Sequence, residues 1–315
     1  MITGDLQSYV PMLRSDPLSR TAVLSLPEDS VAVLPILQEQ TDLDPMQETF
    51  SRYAQLAIMR LTDGPSNLPY SPSVVLSLSE ISPSLKNLQD LLFLPGFHSP
   101  TLALLYCPMY TWSGRYRSAR DTFCLEIRTF DLSSGGYYPL LTYLTGLPSD
   151  SLYLVACPAE LGGVVLVNST GLVHIDQSGR MVGAGVNAWW DFATSVKADK
   201  SSEDLKLSLD GSKCVFVSER DMLLVLQNGD VHQVRFEMDG RAVGMIKVDE
   251  QSSSVPPPSS VIIAGDRALF VGSSEGDSLL AKADMVRHAK GVNGDLEPDL
   301  RPAEMEVDWD EGMSL

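Results

Sequence analysis

The stretch "LFVGSSEGDSLLAKAD", residues 269–284, places glycine and serine between two apolar runs, a composition that could cradle a phosphate. A phosphate loop needs Lys followed by Ser or Thr after its last glycine, and a helix whose free N–H groups face the anion. Here Gly276 is followed by Asp277 and Ser278. The carboxylate would repel phosphate, and the run after it is too short for an ordinary helix. The stretch therefore reads as strand, turn, strand: Gly272 and Gly276 permit the tight return, and Asp277 and Ser278 cap turn amides.

Acid–base, nucleophilic and metal chemistry have little to build on. The four histidines, His98, His174, His232 and His288, each lie far from any other His or Cys, and no G-x-S-x-G precedes a helix. His174 in "GLVHID" and His232 in "DVHQVRF" read as hydrogen-bonded structural imidazoles on strands. Cys107, Cys124, Cys157 and Cys214 form no C-x-x-C pair and read as reduced, buried thiols. Asp131 and Asp176 close strands, where they would bond turn amides. The expectation is a protein without catalysis, cofactor or metal.

One cluster combines bases and aromatics: "YTWSGRYRSAR", with Tyr110, Trp112, Arg115, Tyr116, Arg117 and Arg120. Such interleaving could stack nucleobases while pairing phosphates, could anchor a protein partner, or could be a solvated hairpin loop. The net charge of −18 opposes a broad grip on nucleic acid. In "VNAWWDF", Trp189 and Trp190 would point to opposite faces of an extended chain, one into the core and one outward.

The elements that must position these residues are short and β-rich: "TAVLSL", "SVAVLPIL", "YAQLAIMRL", "PSVVLSL", "TLALLYC", "FCLEIRTFDL", "GVVLVN", "GLVHID", "KCVFVS", "MLLVLQ", "DVHQVRFEM", "VIIAG", "ALFVG" and "SLLAKAD". β-branched and aromatic content, punctuated by Gly, Pro, Asn and Asp, indicates strands. Helix is expected only in short pieces, at Ser84 to Asp90, beside Leu161 and at Asp284 to Ala289. Turns at 168–171, 177–179, 219–221, Asn228-Gly229 and Asp239-Gly240 join antiparallel strands directly. The absence of crossover helices excludes a doubly wound sheet and leaves a sandwich, a barrel or a propeller. Four strands per roughly 40–50 residues favour propeller blades.

Two polar stretches, 197–206 and 249–260, read as exposed loops between adjacent blades. From about His288 the chain becomes acidic and loses periodicity, so 288–315 reads as a disordered tail or linker and 1–287 as the folded part. The start lacks a basic, apolar leader and no stretch reaches the ~20 apolar residues of a membrane span, which reads as an intracellular, soluble protein.

Several strings together resemble the large propeller subunit of the cleavage and polyadenylation specificity factor. They are "YSPSVVLSLSEI" (70–81), "NLQDLLFLPGFHSPTLALLY" (87–106), "TWSGR" (111–115), "LGGVVLVNSTGLVHIDQSG" (161–179) and "ALFVGSSEGDSLLAKAD". The same superfamily holds the large subunit of the damaged-DNA-binding complex and a propeller subunit of the spliceosomal branch-site factor. "FVGSSEGDSLL" and "LGGVVLV" occur across it, whereas "TWSGR" and "YSPSVVLSL" favour the cleavage-factor branch. The resemblance implies three seven-bladed propellers and a helical C-terminal domain in the full protein, with this chain covering the later part of the first propeller. It therefore implies antiparallel four-stranded blades in an incomplete ring, Met1 at an internal position, and "VGSSEGDS" in the last blade. It further implies a nuclear, non-enzymatic scaffold that holds a WD-repeat protein and a zinc-finger protein while they read the polyadenylation signal. A propeller adaptor of a ubiquitin-ligase, damaged-DNA or splicing complex is the alternative.

Overall fold

The computed structural model describes residues 9–36, 73–130, 138–264 and 268–282. These form five sheets in chain order, all antiparallel apart from one short edge strand. The first holds β1 (Leu13–Ser15), β2 (Thr21–Leu26), β3 (Ser30–Pro35) and β4 (Val74–Ser77). The second holds β5 (Leu88–Phe93), β6 (Thr101–Tyr106), β7 (Phe123–Thr129) and β8 (Leu140–Leu147). The third holds β9 (Ser151–Ala156), β10 (Val164–Asn168), β11 (Gly171–Ile175), β12 (Met181–Gly185) and the parallel β13 (Ala198–Asp199). The fourth holds β14 (Lys213–Phe216), β15 (Asp221–Val225), β16 (Asp230–Asp239) and β17 (Ala242–Ser254). The last holds β18 (Pro258–Ala264), β19 (Ala268–Ser273) and β20 (Leu279–Lys282).

Each sheet is a meander in which every strand pairs with the one before it. First strands of successive sheets lie side by side, β1 by β5, β5 by β9 and β14 by β18. That is the geometry of propeller blades around an axis. Among the described residues the hydrophobic core falls into four clusters, one at each junction between consecutive blades. Val33 with Leu104, Leu105 with Leu166, Val167 with Leu224, and Leu223 with Val271 are representative members. Among the described residues no cluster joins the fifth blade to the first.

Carboxylates stitch the blades where backbone donors would otherwise be orphaned. Asp29, in the β2–β3 turn, accepts from the backbone N–H groups of Asn87 and Leu88 at 2.9 Å each. Asp90 on β5 reaches both neighbouring blades, accepting from Leu154 N at 2.8 Å and from the Arg14 guanidinium at 3.2 Å.

The structure departs from several sequence expectations. The stretch Ser84 to Asp90 is not helical: turns lead into β5 at Leu88, whose apolar side chains are needed at the first inter-blade core. A four-residue helical turn, Leu78–Ile81, instead follows β4. No helix stands beside Leu161, where a backbone turn closes from Leu161 and Gly162 to Pro158 O. Residues 249–254 are strand, because β17 runs on to Ser254 and pairs with Asp230 there. Within 197–206, β13 pairs with β12, and Ser202 is buried, its hydroxyl donating to Val248 O at 3.1 Å. The segment "YAQLAIMRL", Asp131, Asp284 to Ala289 and the acidic 288–315 lie outside the described residues. No helix among the described residues is long and apolar enough to cross a membrane.

Candidate functional site

The connection from β6 to β7 is the long loop 107–122, and it lies against the segment that follows β12 in the next blade. Within the loop, Arg115 N donates to Trp112 O at 2.8 Å and Ala119 N to Arg115 O at 3.0 Å. This turn brings the Arg115 guanidinium over the Trp112 ring, 5.5 Å from its centroid, in a cation–π contact. Arg115 Nη1 also lies 3.3 Å from Met109 Sδ.

The second half of the loop is fastened to blade three. The Tyr116 ring stacks on Phe192 at 5.6 Å, and its hydroxyl donates to Ala193 O at 3.1 Å. Arg120 Nη1 donates to Asp191 O at 2.9 Å. Asp121 accepts from Thr194 Oγ1 at 2.5 Å and from the backbone N–H and hydroxyl of Ser195. The carbonyls of Asp191 and Ala193 and the Phe192 ring belong to the helical turn Trp190–Ala193, and the donors Thr194 and Ser195 follow it directly. That turn also separates the paired tryptophans. Trp190 is buried, its Nε1–H donating to Val196 O at 2.9 Å, while Trp189 is 67% exposed and meets Phe192 edge-on. One tryptophan is inside and one outside, but helical rather than extended backbone separates them.

The result is a surface shared by two blades, on which Met109, Tyr110, Trp112, Trp189 and Phe192 are each more than half exposed. Arg117 is exposed on the same loop. Beneath Tyr110 and Trp112 lies a cleft of about 370 Å³ between the loop and the β8–β9 turn, lined also by Thr111, Tyr116, Phe123 and Asp150. Asp150 Oδ2 accepts from Thr170 Oγ1 at 3.0 Å. Its Oδ1 and Thr111 Oγ1 are buried without a hydrogen-bond partner. Burial raises the Asp150 pKa above the usual carboxylate value; hydrogen bonds from Thr170 oppose this and the nearby Asp210 charge adds to it. Burial likewise raises the Tyr110 hydroxyl, with smaller contributions from Cys107 and Asp29.

The loop residues Tyr110, Trp112, Arg115, Tyr116, Arg117 and Arg120 thus share one face, whereas Gly272, Gly276, Asp277 and Ser278 lie in the fifth blade. Gly272 is within β19, where a Cβ would stand 2.5 Å from Ser260 Oγ. Gly276 sits in the turn with open space around it, and the Ser278 hydroxyl accepts from Ser273 N at 3.5 Å. Sequence reading did not find Asp150, Thr111, Asp121 or Phe192 as members of the surface. Their only local signal is turn composition, as in "LPSDS" at 147–151.

Elsewhere, His174, His232 and Asp176 bond the backbone. His174 Nε2 bonds Gly162 O at 2.9 Å, and burial lowers its pKa. His232 Nδ1 bonds Asp249 O at 3.0 Å. Asp176 bonds the turn amides of Ser178 and Arg180 at 2.8 and 2.9 Å. Burial pushes the Cys124 thiol up to about 11 and the Cys214 thiol up to about 12, so neither is a ready thiolate. Among the described residues no group of three or more His, Cys, Asp or Glu side chains could hold a metal ion.

The chain is similar to several fungal proteins. It is 32% identical over 295 residues to Protein cft1 of Aspergillus niger, covering 88% of this chain and 21% of that protein. It is 33% identical over 289 residues to Protein cft1 of Neurospora crassa, covering 87% and 19%. Protein cft1 of Schizosaccharomyces pombe is 28% identical over 287 residues, with 87% and 19% covered. The chain thus spans about a fifth of the length of these relatives. The sequence pattern described as "RSE1/DDB1/CPSF1 first beta-propeller" matches residues 7–293, a range that takes in all five described sheets, and the chain belongs to that family.

Proposed function

We propose that this propeller is a non-enzymatic scaffold module of the nuclear machinery for pre-mRNA 3′-end cleavage and polyadenylation. Its task is to hold partner subunits, a WD-repeat protein and a zinc-finger protein among them, that recognise the polyadenylation signal. The kinship with the cft1 proteins supports the complex, as do "TWSGR" and "YSPSVVLSL". The observation that carries the holding role is the two-blade surface of Met109, Tyr110, Trp112, Trp189 and Phe192. Exposed aromatics on a fixed scaffold are the residues that anchor interfaces. With a net charge of −18, RNA contact belongs to the assembly rather than to this chain by itself. Residues 1–287 form the propeller part in this reading, and 288–315 an acidic linker.

Affinity purification from nuclear extract tests the reading, with the tagged chain compared to a variant carrying Trp112→Ala and Trp189→Ala. Enrichment of 3′-end-processing subunits by the parent, and their loss from the variant, is the expected result. Enrichment of a cullin or of branch-site splicing factors in their place would transfer the chain to an adaptor role in those complexes.

A further inference from the structure

The surface shared by blades two and three joins exposed apolar area to uncompensated positive charge. Met109, Tyr110, Trp112, Trp189 and Phe192 are each more than half exposed, and apolar patches of this kind mark places that something else covers. The guanidinium groups beside them lack carboxylates. From Leu91 to Arg120 the sequence holds no Asp or Glu. Arg117 is exposed, and neither it nor Arg115 forms an ion pair among the described residues. The acidic groups of the neighbouring segment are engaged, Asp191 with Lys200 and Asp121 with Thr194 and Ser195. The surface therefore fits an occupant that is apolar along one side and acidic along the other.

The chain contains such a segment. In "EMEVDWD", residues 304–310, carboxylates alternate with Met305, Val307 and Trp309. Extended backbone sends successive side chains to opposite sides, so this stretch can present an apolar row and a row of carboxylates. It lies within 295–311, where eight acidic residues stand against Arg301 alone, a net −7 of the chain's −18. The rest of the protein is thus acidic too and repels the segment, while the arginine loop complements it. Reach is sufficient. The stretch from Lys282, at the end of β20, to Trp309 can span up to roughly 90 Å, against about 45 Å across a compact unit of this size. Tethering also raises the local concentration to about the millimolar range, so a contact too weak for separate molecules is enough.

We propose that residues 304–310 of this chain lie across the two-blade surface, with Met305, Val307 and Trp309 against the exposed rings and the carboxylates beside Arg115 and Arg117. A partner subunit then has to displace the segment before it docks. That displacement rests on the scaffold reading above; the docking of the segment does not.

The test is hydrogen–deuterium exchange on the full chain, comparing the parent with a variant carrying Glu304→Gln, Glu306→Gln, Asp308→Asn and Asp310→Asn. Exchange in 107–122 and 187–196 should quicken about threefold or more in the variant, while the buried strands at 164–175 stay unchanged. Arg117→Glu should quicken both segments in the same way. Adding Glu304→Lys, Glu306→Lys and Asp308→Lys to it should restore slow exchange, which a loss of folding would not do. Equal exchange in the parent and the neutralised variant, or no restoration by the reversed charges, would overturn the proposal. So would slowing that grows with chain concentration, which would seat the segment of a second copy there. In nuclear extract the neutralised variant should recover about twofold or more of the 3′-end subunits recovered by the parent. Slow exchange without any such subunits would leave the docking standing and remove the scaffold reading; subunit recovery without slow exchange would remove the docking alone.

Discussion

The third and fifth blades contain nearly interchangeable apolar runs, "VVLV" at 164–167 and "VIIA" at 261–264, yet they differ in burial. Every residue of β10 and β11 is buried. One face of β10 meets blade two through Leu166, and the other meets blade four through Val167. In blade five, Val261 and Ile263 pack toward blade four, while Ile262 is 53% and Leu280 is 70% exposed. Strand alternation sends successive side chains to opposite faces, so a strand is buried throughout only where both faces have a neighbour. Burial in this fold is thus conferred by flanking blades rather than by the hydrophobicity of a run.

Core truncation gives the largest expected contrast. Leu166→Ala should cost about 2–5 kcal/mol, as for a buried leucine that leaves a cavity, and Ile262→Ala less than about 1 kcal/mol, read from urea unfolding. Equal costs would mean that Ile262 is covered in solution and would erase the distinction. A glycine pair sharpens it from the opposite direction. A Cβ at Gly171 would stand 2.3 Å from Ala184 O and 2.6 Å from the Trp190 ring, whereas one at Gly276 meets nothing within 4 Å. Gly171→Ala should cost about 3 kcal/mol by overpacking, and Gly276→Ala should stay within about 0.5 kcal/mol, measured in the same unfolding series.

Proton linkage probes the third blade again. Burial lowers the His174 pKa below its ordinary 6.5, outweighing the Gly162 hydrogen bond and the Asp176 charge that act the other way; Arg180 adds to the lowering. The unfolded chain therefore takes up more protons below pH 6.5, and stability that is complete above that pH is lost as pH falls toward the folded value. The contribution approaches about 1.4 kcal/mol per pH unit, and His174→Gln should flatten that part of a stability-against-pH curve. Smallest in stability is Trp189→Ser at the exposed surface. It should move unfolding by no more than about 0.5 kcal/mol while reducing recovery of partners in pull-downs.

The β-rich class and the turns at Gly179, Gly229 and Gly240 were legible because local composition determines both; all three glycines adopt positive φ. Much less legible were β8 and β9. β8, "LLTYLTGL", leaves Leu140, Leu141 and Tyr143 exposed, and its place comes from pairing with β7 rather than from its own pattern. The helical expectation at Ser84 to Asp90 gave way for the same reason, since tertiary demand at the blade junction overrides weak local preference. The basic–aromatic loop stood out in the sequence, but its position against Phe192 and Asp191 did not. Those partners lie over 70 residues away in the chain, as with Arg120 and Asp191, and no local period encodes that contact.

Asp121 anchors the base of the loop through Thr194 and Ser195 of the adjacent blade. The surface is consequently a discontinuous epitope, displayed only when two separate stretches of chain are both folded and docked. A synthetic peptide copying 109–122 would lack half of it and the scaffold that holds it open, so it should not compete for a partner of the intact protein. An antibody selected against the folded surface should, by the same logic, lose recognition on denaturation, which makes it a reporter of blade-to-blade docking as much as of the loop.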